Sequence, residues 1–171
     1  PVPQLASHAS LHATHATVMA RQWDGDYGAL IAHANAQPKP IATLLDSLRR
    51  LPGYMADPLA KKANLLAIIL AARPEGFLQA RDPESIVPIV DYHMMRLCLR
   101  TGLVTIKDPD LRRRLVSRLW VDTQEELAIR QATGRAILSL VEKTRLSIGA
   151  IDGLFFKLGR SVCLETETPR C

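Results

Sequence analysis

Aromatic side chains are scarce in this chain: Phe, Trp and Tyr make up 5% of its 171 residues. Alanine and leucine abound instead, which favours helices over sheets. No stretch alternates polar and apolar residues over strand length between turn signals, so the sequence reads all-α. No apolar run approaches the roughly 20 residues a membrane span takes. The longest, Leu65 to Ala72, reads as a buried segment of a helix. No internal repeat is evident. Three cysteines are an odd number, which argues against a disulfide framework and for a cytoplasmic protein with free thiols or metal ligands. The chain opens on Pro1 rather than Met and has no lysine-led apolar leader, so its start reads as processed, tagged or trimmed.

Hydrophobic residues make up 47% and charged residues 23%, the balance of a globular protein. At this length the prior is one compact domain, residues 1–171, able to bury most of the apolar surface of its unfolded chain. Two helical subdomains with a cleft near residues 51–104 are the alternative. The net charge is +5 and the pI about 9.4. A basic surface attracts phosphate whatever the sequence, so nucleic acid or another polyphosphate is a fair partner. Many proteins carry this charge with no such partner. No membrane association and a monomer are expected.

Start and stop signals divide the chain into helices. Ala6 to Arg21 is expected to be helical, with His8, His12 and His15 on one face, read as surface histidines rather than a metal site. Asp24-Gly25-Asp26 breaks that helix, and Tyr27 to Asn35 forms a second. Ile41, Leu44, Leu45 and Leu48 mark one apolar face that Pro52-Gly53 stops. Asp57-Pro58 is a start signal, and Leu59 to Ala72 is apolar enough to be central and buried. Asp82-Pro83-Glu84 caps a short turn. Further helices are expected from Asp91 to Gly102, from Asp108-Pro109, from Asp122 to about Arg145, and from Ser147 to Lys157.

Asp91 is the leading candidate for chemistry. It follows the apolar strip Ile86, Val87, Ile89 and Val90, where partial desolvation would tune a carboxylate as a base. It equally suits an N-cap, since it begins a helix. Lys61 and Lys62 form a pair at the head of an apolar helix. A lysine becomes a nucleophile when burial or another cation depresses its pKa; otherwise the pair is a solvated first turn. Arg112, Arg113, Arg114 and Arg118 could line a phosphate track with Arg96 and Arg100, or form a solvated helix face. Cys98, between Leu97 and Leu99, reads as a buried core thiol.

Three phrases, in order, resemble the helix-hairpin-helix base-excision glycosylases: LPG…KKAN from Leu51, VDYHMMRLCLRTGLV from Val90, and LGRSVCLETETPRC from Leu158. The likeness runs from about Leu44 to Cys171. Val90-Asp91-Tyr92-His93 is similar to that family's V-D-T-H signature, and Lys61 stands where endonuclease III-like members carry a lysine that attacks the sugar. The likeness implies an all-α, glycosylase-like helical bundle with a truncated C-terminal iron–sulfur loop. It implies Asp91 and Lys61 as catalytic residues, with Gly53, Lys62, Tyr92, His93 and Arg96 contacting substrate. Cys163 and Cys171 would be two ligands of a [4Fe–4S] cluster, which takes four thiolates; a longer native chain would supply the others.

The activity so implied is removal of a damaged or mismatched base from DNA, with Asp91 assisting glycosidic cleavage and a Lys61 Schiff base giving lyase activity. DNA is then the leading partner and a modified nucleotide the other. The family's second hairpin glycine is missing, and residues 54–60 lie between Gly53 and the lysines. That departure resembles the queuosine salvage proteins, which share the fold and hydrolyse a modified nucleotide. A non-catalytic nucleic-acid-binding helical module is the third reading.

Overall fold

The computed structural model describes residues 4–165. All elements among them are helical: α1 (Leu5–Trp23), α2 (Tyr27–Asn35), α3 (Pro40–Arg49), α4 (Lys61–Ala72), a 3-10 turn (Pro83–Ser85), α5 (Tyr92–Arg100), α6 (Pro109–Val116), α7 (Thr123–Thr144) and α8 (Ile148–Ser161). The chain divides into two compact units, Pro1–Val87 and Pro88–Cys171.

The first unit holds α1 to α4. Its core is aliphatic, with Leu30, Ile41, Leu44, Leu48 and Leu51 fully buried. Of these, Ile41, Leu44 and Leu48 are the apolar positions that α3 spaces on one face, packed against α2 and α4. Asp26 caps α2 by accepting from the Gly28 amide. The α3 N-terminus has no local side-chain cap at Lys39. Asp82 supplies it from a distance, accepting from the amides of Ile41 and Ala42, each at 2.9 Å. Asp82 is only 2% exposed. It also stands at the N-cap position of the short turn expected at Asp82-Pro83-Glu84, though its carboxylate makes no capping bond to that turn's backbone amides. Burial pushes its carboxyl up, yet hydrogen bonds from the Ala42 and Ile41 amides, with those from the Ser85 side chain and its own backbone, together outweigh that and hold it below the usual carboxylate value.

Helix α4 departs from its sequence reading in two ways. It begins at Lys61, behind Ala60 in the left-handed region (φ +49°), rather than at Leu59. Asp57 still marks the approach, its carboxylate accepting from the amides of Leu59 and Lys62. Its buried face is small, made of Ala63, Asn64 and Ala67, while Leu65 and Ile69 are exposed. The helix is therefore not central: an apolar composition all round does not say which side packs. Asn64 donates to the Ala60 carbonyl and accepts from the Val87 amide, tying the end of this unit to α4.

The second unit packs α5 against α8 and α7. Val90, Met94, Leu97, Cys98, Ile137 and Ile151 are buried in its core. Gly159 of α8 permits a close approach to α5, since a Cβ there would lie 3.1 Å from the His93 Cβ. Helix α7, the longest, starts with a capping box: Asp122 accepts from the Glu125 amide at 2.8 Å and Glu125 reaches back to the Asp122 amide at 3.0 Å. Ser147 caps α8 through the Ala150 amide. Burial raises the Cys98 thiol to about 11, the behaviour of a core thiol.

Candidate functional site

The residues picked out from the sequence fall into both units. In the first, Lys62 donates from Nζ to the Gly53 carbonyl at 3.2 Å. Gly53 takes φ +92°, a left-handed turn that suits glycine. Lys61 is half-buried on the first turn of α4, and among the described residues its ammonium has no partner.

In the second unit, Asp91 is the N-cap of α5, with Oδ1 accepting from the Met94 amide at 2.9 Å. Tyr92, His93 and Arg96 gather where α5 meets α8. The His93 ring lies 3.9 Å from the Tyr92 ring and edge-on to Phe156 at 6.1 Å. Arg96 stacks over Tyr92 and donates to His93 Nδ1 at 3.0 Å, which leaves the ring hydrogen on Nε2. Arg96 also donates to the carbonyls of Gly159 (2.7 Å) and Cys163 (3.0 Å). Arg100 donates to the Leu164 carbonyl at 2.7 Å and to Cys163 Sγ at 3.3 Å. The two arginines thus bind the backbone that leaves α8. Helix C-terminal carbonyls lack intrahelical partners, and the Arg96 guanidinium satisfies that of Gly159 here.

The arginine run near α6 divides similarly. Arg114 joins α6 to α7, donating to Glu125 and to Asp110. The Arg114 hydrogen bonds lower the Glu125 carboxyl to about 2. Arg118, at φ +55°, donates to the Glu165 carbonyl. Arg113 pairs with Asp110 at the surface, where such pairs are weak. Arg112 and Lys107 have no partner among the described residues. These last three cations, with Ser117, line an open cavity of about 350 Å³ whose apolar wall is Ile106, Pro109 and Val116. The sequence marked Arg112 and Arg113 but not Lys107 or Ser117, because nothing in local spacing brings the two ends of α6 to one hollow.

The described residues include two thiols, Cys98 and Cys163, both buried. Among them no group of three His, Cys, Asp or Glu side chains could hold a metal ion. The described residues thus do not by themselves fit a four-iron cluster. Cys171 lies outside the described residues.

No family model matches the chain, and no solved structure matches it. It is similar to a curated protein of Nitrosomonas eutropha named 1-deoxy-D-xylulose 5-phosphate reductoisomerase, with 27% identity over 145 residues. The match takes in 71% of this chain and 35% of that relative, so the chain spans about a third of the relative's length. This similarity overturns the expected activity, removal of a damaged or mismatched base from DNA. The relative's name describes a reductoisomerase of a sugar phosphate, not a glycosylase. No helix among the described residues is long and apolar enough to cross a membrane.

Proposed function

We propose that this chain is a helical binding module for a phosphorylated sugar, held in the cationic hollow at α6. The observation that carries the reading is the pairing of two uncommitted cations, Lys107 and Arg112, with Arg113 and Ser117 around one cavity of about 350 Å³. A guanidinium offers a phosphate two parallel donors in a fixed plane, and an ammonium adds a compact charge. Ile106, Pro109 and Val116 give the apolar wall that the C–H face of a sugar would cover. The volume lies in the range of small-molecule sites, roughly 300–1,000 Å³. The substrate named for the relative is a sugar phosphate, and the chain's net charge of +5 favours an anionic ligand.

The all-helical arrangement we read as helix-hairpin-helix glycosylase-like. That rests on Leu51-Pro52-Gly53, Lys61 to Asn64 and Val90 to His93 in the sequence. The likeness lies in those sequence phrases, and no DNA repair activity is inferred from it.

Titration calorimetry with 1-deoxy-D-xylulose 5-phosphate and with its dephosphorylated form tests the binding reading. The phosphate form is expected to bind at least tenfold more tightly, and Arg112→Ala to remove most of that difference. Equal affinity for the two forms would overturn it.

A further inference from the structure

The first unit carries a second hollow that the sugar-phosphate reading does not use. It measures about 260 Å³ and is lined by Leu30, Leu44, Leu66 and Leu70 with two tyrosines, Tyr27 and Tyr54. Among the described residues the tyrosines are its only polar-tipped lining groups. His15 of α1 stands beside them, stacked on Tyr27 at 5.9 Å and tilted towards Tyr54 at 6.4 Å. It is half-buried, unlike His8 and His12, which share its helix face in the sequence.

The hydrogen bonding around His15 has one consistent assignment for a neutral ring. Nδ1 lies 2.8 Å from the Pro52 carbonyl, which can only accept, so Nδ1 carries the hydrogen. Nε2 then has only a lone pair, and its partner, the Tyr27 hydroxyl, must donate to it. The Tyr27 oxygen keeps lone pairs but has no hydrogen left to give. Any group that pairs with it from outside this network must itself be a donor. Desolvation raises both tyrosines above the ordinary phenol value, and for Tyr54 the nearby Tyr27 adds to the effect. Both hydroxyls therefore stay protonated at neutral pH.

We propose that this hollow binds a compact aromatic molecule carrying one O–H or N–H donor, which the Tyr27 oxygen accepts while the leucines cover the ring. Size supports this class: a cavity of about 150 Å³ holds a benzene, so 260 Å³ takes one substituted ring or a small bicycle. Geometry supports it too, since aromatic rings pair favourably offset or edge-on with tyrosine. At the Tyr27 oxygen the donor requirement separates the proposal from mere greasiness, while the Tyr54 hydroxyl, without a partner among the described residues, can serve a donor or an acceptor alike. A site whose polar atom must be paired discriminates strongly against analogues lacking the matching group.

The test uses the full chain and three probes of one shape: p-cresol, 4-methylanisole and p-xylene. Amide chemical shifts in a ¹H–¹⁵N titration report both site and affinity. p-Cresol is expected to shift amides of α2, α3 and α4 around Leu30, Leu44 and Leu66. It should bind at least fivefold more tightly than 4-methylanisole, which accepts but cannot donate. Tyr27→Phe should erase that preference while leaving the weaker probes unchanged. Leu66→Trp should fill the hollow and abolish binding of all three, with its spectrum confirming the fold. No shift with p-cresol up to its solubility limit would overturn the proposal, as would equal affinity for p-cresol and 4-methylanisole. Shifts at the same amides that grow with protein concentration in the absence of probe would assign the hollow to a second copy of the chain, and would also overturn it.

Discussion

Replacing Asp82 with alanine tests how the first unit is held together. The carboxylate is 2% exposed and accepts from two amides at the start of α3, each at 2.9 Å. Hydrogen bonds to a charged group are worth about 1.5–3 kcal/mol each, and an orphaned buried donor bears its desolvation cost in full. The Ile41 residue is fully buried, whereas Ala42 is partly exposed and its amide can recruit water. The loss should therefore be about 2–4 kcal/mol, above the roughly 1 kcal/mol of an exposed cap. For a chain of this size that lowers Tm by about 5–15 °C. Because the folded carboxyl is held below its ordinary value, its contribution is present above about pH 4 and fades as the pH falls further. Urea melts at pH 7 and at about pH 3 should show the gap between wild type and Asp82→Ala narrowing in acid. A loss below about 0.5 kcal/mol at pH 7 would refute the reasoning, as would a gap that widens in acid.

Substitutions at three other positions have defined outcomes. Ala60→Gly should be neutral within about 1 kcal/mol, because relief of the left-handed strain offsets the lost methyl and the added chain freedom. Ala60→Val should cost more than about 2 kcal/mol in the same thermal melts, since a branched side chain tolerates positive φ poorly. Glu125→Gln should flatten the acid limb of the stability curve: the folded carboxyl near 2 contributes stability above the ordinary Glu value of about 4.3, lost as the pH falls towards 2. Asp91→Ala should cost about 1 kcal/mol through the Met94 amide alone, while Asp91→Asn, which keeps the accepting oxygen, should cost less than half of that.

The helix pattern was legible because its signals are local. Asp26, Asp108-Pro109, the Asp122–Glu125 box and Ser147 each open a helix within three residues of the group they bond. Leu44, Leu45 and Leu48 show the buried face of α3 by their spacing. What stayed hidden depends on residues far apart in the chain. Asp82 looks like the cap of its own turn and is instead the cap of a helix that begins some 40 positions earlier. Arg96 and Arg100 look like phosphate ligands and bond carbonyls 63 to 67 positions away. His15 looks like one of three surface histidines until Pro52 and Tyr27 close around it. A motif resemblance could not separate these roles either, since it matches residue types and not their partners. It led to a DNA glycosylase, whereas the relative that the chain is similar to is named a reductoisomerase of a sugar phosphate.

The most direct measurement is a ¹H–¹⁵N titration of the chain with 1-deoxy-D-xylulose 5-phosphate, repeated on Lys107→Ala and Arg112→Ala. Saturable shifts are expected in amides around α6, centred on residues 106–117, with affinity reduced about tenfold or more by either substitution, equivalent to about 1.4 kcal/mol. Shifts confined to other parts of the chain, or affinity unchanged in both variants, would contradict the binding proposal.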